Sequence, residues 1–123
     1  MNKVLLVDDS KTIILALAAI LEKHGYETVS AGDGVEALAV MASGLVPNVI
    51  LTDLNMPNMD GITFIREARK ITGMRFTPIL MLTTESQQSK RDQARAAGAT
   101  GWLVKPVQPD NLLALLEQIL PEG

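Results

Sequence analysis

The chain has 123 residues, no cysteine, and 11 basic against 14 acidic side chains, for a net charge of -3. That length fits one domain of roughly 100–150 residues, spanning 1–123, and leaves no room for a second catalytic or DNA-binding module. A hydrophobic content of 47% excludes disorder, and the acidic balance excludes the basic stripe of a direct nucleic-acid binder; without cysteine there is no disulfide framework or thiolate metal site, which fits a cytoplasmic location.

In chain order, one pattern recurs five times: an aliphatic run, turn residues, then a helical stretch. The first strand is expected over Val4–Asp8 and ends in the pair Asp8-Asp9. Ser10 is placed to cap a helix over Lys11–His24. This helix holds the longest apolar run, Ile13 to Leu21, about half of the roughly 20 residues that span a bilayer. No basic segment precedes an apolar one, so neither membrane insertion nor a secretory leader is expected. His24, the lone histidine, sits in the last turn before Gly25, where a cation favours the helix dipole; that reading is preferred to a phosphorelay or metal role.

The second strand, Glu27–Ala31, leads to a helix over Val35–Ser43, with Asp33 and Glu36 spaced as a capping pair. Gly32 to Ala37 also fits G-x-G-x-x-A. The two acids would repel a pyrophosphate there, and the motif follows the second strand, so dinucleotide binding is rejected. Strands over Asn48–Asp53, Pro78–Thr83 and Thr100–Val104 alternate with helices over Ile62–Ile71, Gln87–Ala97 and Asn111–Leu120. The helix over Gln87–Ala97 has only alanines to bury. It should dock weakly, either as a switching element or as a solvated helix that stays still. The last helix carries Leu112, Leu113, Leu115, Leu116, Ile119 and Leu120, a stripe for the core with a margin for a partner or a second copy.

Alternating strands and helices, with strands apolar on both faces, imply an α/β fold around a parallel sheet. Ligands in such folds bind beyond the carboxyl ends of the strands. Four of the five ends carry polar groups: Asp8-Asp9, Asp53, Thr83-Thr84 and Lys105-Pro106. Three carboxylates in one crevice require a shared proton or a cation. An all-oxygen set suits magnesium, and a lysine and a hydroxyl beside it suit a phosphoryl group. No serine, cysteine or histidine is placed as a nucleophile, which leaves a carboxylate to form an acyl phosphate.

Asp8-Asp9, the run Asp53 to Gly61, Thr83 and Lys105-Pro106 together resemble the receiver domain of bacterial two-component response regulators, from about Lys3 to Leu120. The stretch Asn55 to Gly61 is especially close to the chemotaxis branch of that family. The resemblance implies a doubly wound, flavodoxin-like sheet of five strands in the order 2-1-3-4-5 with five helices. It implies that Asp53 accepts a phosphoryl group from a sensor histidine kinase. It also implies that Asp8, Asp9, Asp53 and the backbone carbonyl of Asn55 hold Mg2+. Lys105 would pair with the phosphate, Thr83 would bond it and report its presence, and the Lys105–Pro106 bond would be cis. Asn55 and Glu85 occupy the positions that tune water access, and the pair implies a signal lasting seconds to minutes. Trp102 stands where the family usually has tyrosine or phenylalanine, a ring that moves with the threonine; a core tryptophan ending the last strand also fits. A downstream effector protein and a monomer or weak dimer complete the expectation. An aspartyl-phosphatase is disfavoured because Asn55, two residues after the nucleophile, cannot act as the acid/base. A phosphorylation-incompetent binding module is disfavoured by the intact set of site residues.

Overall fold

The computed structural model describes residues 2–120. Five strands alternate with five helices: β1 Lys3–Val7, α1 Lys11–Lys23, β2 Glu27–Ala31, α2 Gly34–Ala42, β3 Val49–Thr52, α3 Gly61–Ala68, β4 Ile79–Thr83, α4 Gln88–Ala97, β5 Gly101–Val104 and α5 Pro109–Ile119. All strand pairs are parallel, in the order β2-β1-β3-β4-β5.

The unbroken apolar strands divide their side chains between two cores, as the two-residue period of a strand requires. Leu5, Val7, Ile50, Ile79 and Met81 face one core with Phe64 and Ile65 of α3 and Ala37 and Met41 of α2. Val4, Leu6, Val49, Leu51, Leu80 and Leu82 face the other with Leu17 and Leu21 of α1 and Leu112 and Leu116 of α5. The wide apolar stripe of α5 is largely absorbed here, since Leu113, Leu115 and Ile119 pack half-buried around the same cluster. Among the described residues, no helix is long and apolar enough to cross a membrane.

Helix ends follow the local chemistry. Ser10 Oγ accepts from Ile13 N at 3.3 Å, and Asp33 and Asp60 cap α2 and α3 through Glu36 N and Thr63 N. Glu36 reaches back to the Gly32 amide rather than to that of Asp33, one residue outside the usual capping box. His24 caps α1, with its Nδ1 2.9 Å from the Ile20 carbonyl. The helix expected to begin at Asn111 starts two residues earlier because Pro109 occupies its first turn, where a missing N–H costs nothing. The helix expected to reach Ile71 ends at Ala68, and Arg69 turns its side chain to loop carbonyls. α4 fully buries only Ala94 and Ala97 and lacks a side-chain cap, in line with its composition.

Phe64 is fully buried, whereas Phe76 is 87% exposed. In urea unfolding, Phe64→Ala is expected to lower stability by about 3–5 kcal/mol, and Phe76→Ala to change it by no more than about 0.5 kcal/mol.

Candidate functional site

Three ladder bonds place the site. Asp8, Asp53 and Lys105 each lie one residue past a strand end, and each backbone N–H still donates into the sheet: Asp8 N to Ala31 O at 3.1 Å, Asp53 N to Val7 O at 2.9 Å, and Lys105 N to Thr83 O at 2.8 Å. The main chain is therefore fixed while the side chain leaves the sheet. Strands β1 and β3 stop one residue short of the expected Asp8 and Asp53, which frees both carboxylates for the crevice.

Asp8, Asp9 and Asp53 converge, with one carboxylate oxygen from each lying within 4.8 Å of the others. Asp8 is 6% exposed; its Oδ1 accepts from Ser10 N at 2.9 Å and its Oδ2 from Lys105 Nζ at 2.7 Å. Lys105 Nζ also stands 3.5 Å from Asp53 Oδ1, which accepts from Leu54 N at 2.8 Å. Asp9 is exposed at the rim. One ammonium thus faces three carboxylates, leaving two negative charges in a partly dry crevice. Burial pushes the Asp53 carboxyl above its ordinary pKa, the Lys105 charge opposes that, and the Asp8 charge adds to it. The donor set fits a hard divalent cation, because oxygens on opposite sides of a magnesium ion stand roughly 4 Å apart.

The Lys105–Pro106 bond is cis, as expected. Thr83 ends β4 almost wholly buried, and its Oγ1 accepts from Glu85 N at 3.2 Å. Asn55 is exposed two residues beyond Asp53. Trp102 lies within β5 beside Met81, on the α4 side of the sheet. Its Nε1 donates to the Glu85 carbonyl at 3.1 Å, and the Arg91 guanidinium lies 5.8 Å from its ring centroid.

Three supporting features escape a reading of the sequence. The Glu85 peptide joins Thr83 at its N–H to Trp102 at its carbonyl. Asn58, the one non-glycine residue with positive φ among those described, donates from Nδ2 to Asp33 Oδ2 at 2.7 Å and ties the loop after Asp53 to the start of α2. Gly61 is required by close approach: its N–H donates to Leu54 O at 2.7 Å, and a Cβ there would overlap the Asp53 carbonyl oxygen. Glycine before a helical run hinted only at the last of these.

Residues 4–117 match the family described as the response regulator receiver domain. The chain belongs to that family. It is 36% identical over 119 residues to the chemotaxis protein CheY1 of Helicobacter pylori, covering 96% of each chain. Its fold matches the chemotaxis protein CheY4 of Vibrio cholerae with a TM-score of 0.92 and 48% identity, covering 98% of this chain and 99% of that one. It also matches the receiver domain of the sensor histidine kinase PA1611 from Pseudomonas aeruginosa, at a TM-score of 0.87 and 30% identity, over 96% of each chain. That structure has a magnesium ion coordinated in the active-site cleft. The expected α/β receiver fold and its strand order are borne out, and the aspartate triad of this chain is typical of the magnesium site of receiver domains. The chain is a phosphorylation switch and not a classical enzyme.

The folded crevice holds a proton on Asp53 more tightly than the unfolded chain does, so ionising Asp53 costs stability. That cost is absent below the ordinary carboxylate range and complete above the raised value. In metal-free buffer, Asp53→Asn is therefore expected to melt a few degrees above wild type at neutral pH, with the gain fading as the pH falls through the carboxylate range. A gain unchanged down to acid pH would contradict this assignment. Gly61→Ala should melt below wild type by several degrees, because the Asp53 backbone must shift to admit the methyl group.

Proposed function

We propose that residues 1–123 form one receiver domain in which Asp53 accepts a phosphoryl group from the histidine of a sensor kinase. The observation that carries this reading is the meeting of three carboxylates with one lysine at a single strand edge. A carboxylate oxygen of Asp53 attacks phosphorus, the bond from phosphorus to the histidine nitrogen breaks, and an acyl phosphate forms. Asp8, Asp9, Asp53 and the Asn55 carbonyl would hold Mg2+, which supplies neutralisation of the phosphoryl oxygens. Lys105, already between Asp8 and Asp53, pairs with one phosphoryl oxygen, and Thr83 Oγ1 donates to another. Water attacking phosphorus later returns Asp53 and inorganic phosphate, with Asn55 and Glu85 at the positions that control its approach.

The signal leaves the crevice through Thr83. Drawing Thr83 Oγ1 toward the phosphoryl group pulls on the bond it accepts from Glu85 N, and the Glu85 peptide also holds the Trp102 indole. A loop and a lightly docked α4 therefore change population together. The output is altered affinity for a downstream effector protein. Similarity to chemotaxis proteins supports a cytoplasmic role in chemotaxis, with the chain acting as a monomer or weak dimer.

Incubation with magnesium and a small-molecule phosphodonor should add one phosphoryl group to wild type and none to Asp53→Asn, read by intact mass. Equal gain in both would reject Asp53 as the acceptor. After removal of the donor, the added mass should disappear in seconds to minutes; persistence for several hours would contradict the roles given to Asn55 and Glu85.

A further inference from the structure

Phe76 has the most exposed large apolar side chain among the described residues, at 87%. It lies in the connection from α3 to β4, at the amino edge of the sheet. The carboxylate crevice lies beyond the opposite edge, and the 5 residues of β4 alone place about 16 Å between them.

A phenylalanine on a slack loop would turn inward or sample many positions. This loop is not slack. Met74 anchors it in the core at 2% exposure, and Ile79 begins β4 fully buried. Between them, Arg69 commits its guanidinium to main-chain carbonyls: Nη1 to Met74 O at 2.7 Å, Thr77 O at 2.6 Å and Arg75 O at 3.4 Å, with Nε and Nη2 to Gly98 O at 3.1 and 2.7 Å. The Met74 and Thr77 carbonyls on either side of the Arg75-Phe76 pair are both pinned at close range, so the backbone presents the ring outward. The Arg75 guanidinium lies 5.5 Å from the ring centroid, which restrains the ring and sets a positive charge beside it. A surface ordered before contact loses less entropy on binding.

The charge of this segment runs against that of the chain. From Arg66 to Phe76 the sequence carries Arg66, Arg69, Lys70 and Arg75 against Glu67 alone, in a protein of net charge -3. Arg66, Lys70 and Arg75 are exposed, and the Lys70 ammonium is shared with Glu67 at 2.9 Å, which leaves Arg66 and Arg75 as the main charges. An anionic bilayer would act on the whole acidic chain, and one aromatic ring is a thin anchor. A short acidic segment senses only charges within a Debye length of about 10 Å. A second copy of the chain offers its densest acidic cluster inside the carboxylate crevice, where Lys105 already engages it.

We propose that Arg75 and Phe76, with Arg66 and Lys70 near them in the chain, dock an acidic segment of a partner protein that also brings an apolar side chain to the Phe76 ring. This contact is indifferent to the phosphorylation state, because it lies at the edge remote from Asp53.

A random-peptide display library, depleted on Phe76→Ser and then selected on wild type, tests this directly. Peptides rich in aspartate and glutamate beside leucine, isoleucine or phenylalanine should be recovered. They should bind Arg75→Glu and Phe76→Ser about tenfold more weakly than wild type, with and without phosphodonor, while both variants melt as wild type does. Failure to recover any peptide, recovery of basic or neutral ones, or binding that requires phosphorylation would overturn the proposal. Self-association lost in Phe76→Ser, read by sedimentation, would assign the surface to a second copy and overturn it. Phe76-dependent binding to anionic phospholipid vesicles without peptide binding would overturn it in favour of a membrane. Apart from the phosphodonor comparison, every reading is made on the unphosphorylated chain, so failure here leaves the proposed function standing.

Discussion

The repulsion among Asp8, Asp9 and Asp53, relieved only in part by Lys105, is the constraint on which the rest of the structure turns. Like charges this close raise the free energy of the folded chain in proportion to how dry the crevice is. Burial is also what chiefly holds the Asp53 proton above the ordinary range, with the Lys105 charge opposing it and the Asp8 charge adding to it. A divalent cation and a phosphoryl group both respond to that imbalance, the first by neutralising the carboxylates and the second by engaging the cation and Lys105. The chemistry of the site thus follows from a local excess of charge. With those three aspartates set aside, eleven acids face eleven bases, so the net charge of -3 equals the formal charge of the crevice carboxylates.

Such an arrangement needs a rigid frame, and the sheet provides it. Leu5, Leu6, Ile50, Leu51, Ile79 and Leu80 are buried between helices on both faces, so the strand ends cannot drift apart to relax the repulsion. Gly61 lets α3 begin hard against the Asp53 main chain, and Asn58 fastens the intervening loop to α2. The other side of the crevice is held more lightly, since α4 buries only Ala94 and Ala97. A stiff acceptor beside a lightly held helix is the division of labour that a switch requires.

What the sequence discloses follows from the range of the interactions. The strands, the helix caps at Ser10, Asp33 and Asp60, and the alanine-only docking of α4 depend on neighbours a few residues away, and they were legible with errors of one to three residues at the ends. The gathering of Asp8, Asp53 and Lys105 was legible because a parallel sheet brings its carboxyl ends together whatever the details. The bridge from Thr83 through the Glu85 peptide to Trp102, the Asn58 clamp on Asp33 and the Arg69 hold on the Phe76 loop were not. Each joins a side chain to a main-chain group or a partner fixed only after the layers have packed. Trp102 shows the limit well: the resemblance implied a switching ring and the end of a strand suited a core tryptophan, and the structure half-buries it against the core while tying its indole to the loop after Thr83.

The most direct measurement is the melting temperature of the wild-type chain in chelator and in millimolar magnesium, beside the same pair for Asp53→Asn. If uncompensated carboxylate charge governs the crevice, magnesium binds the folded chain and raises the wild-type transition by several degrees, with a much smaller rise in the variant. Equal transitions with and without magnesium in the wild type would contradict the account at its root.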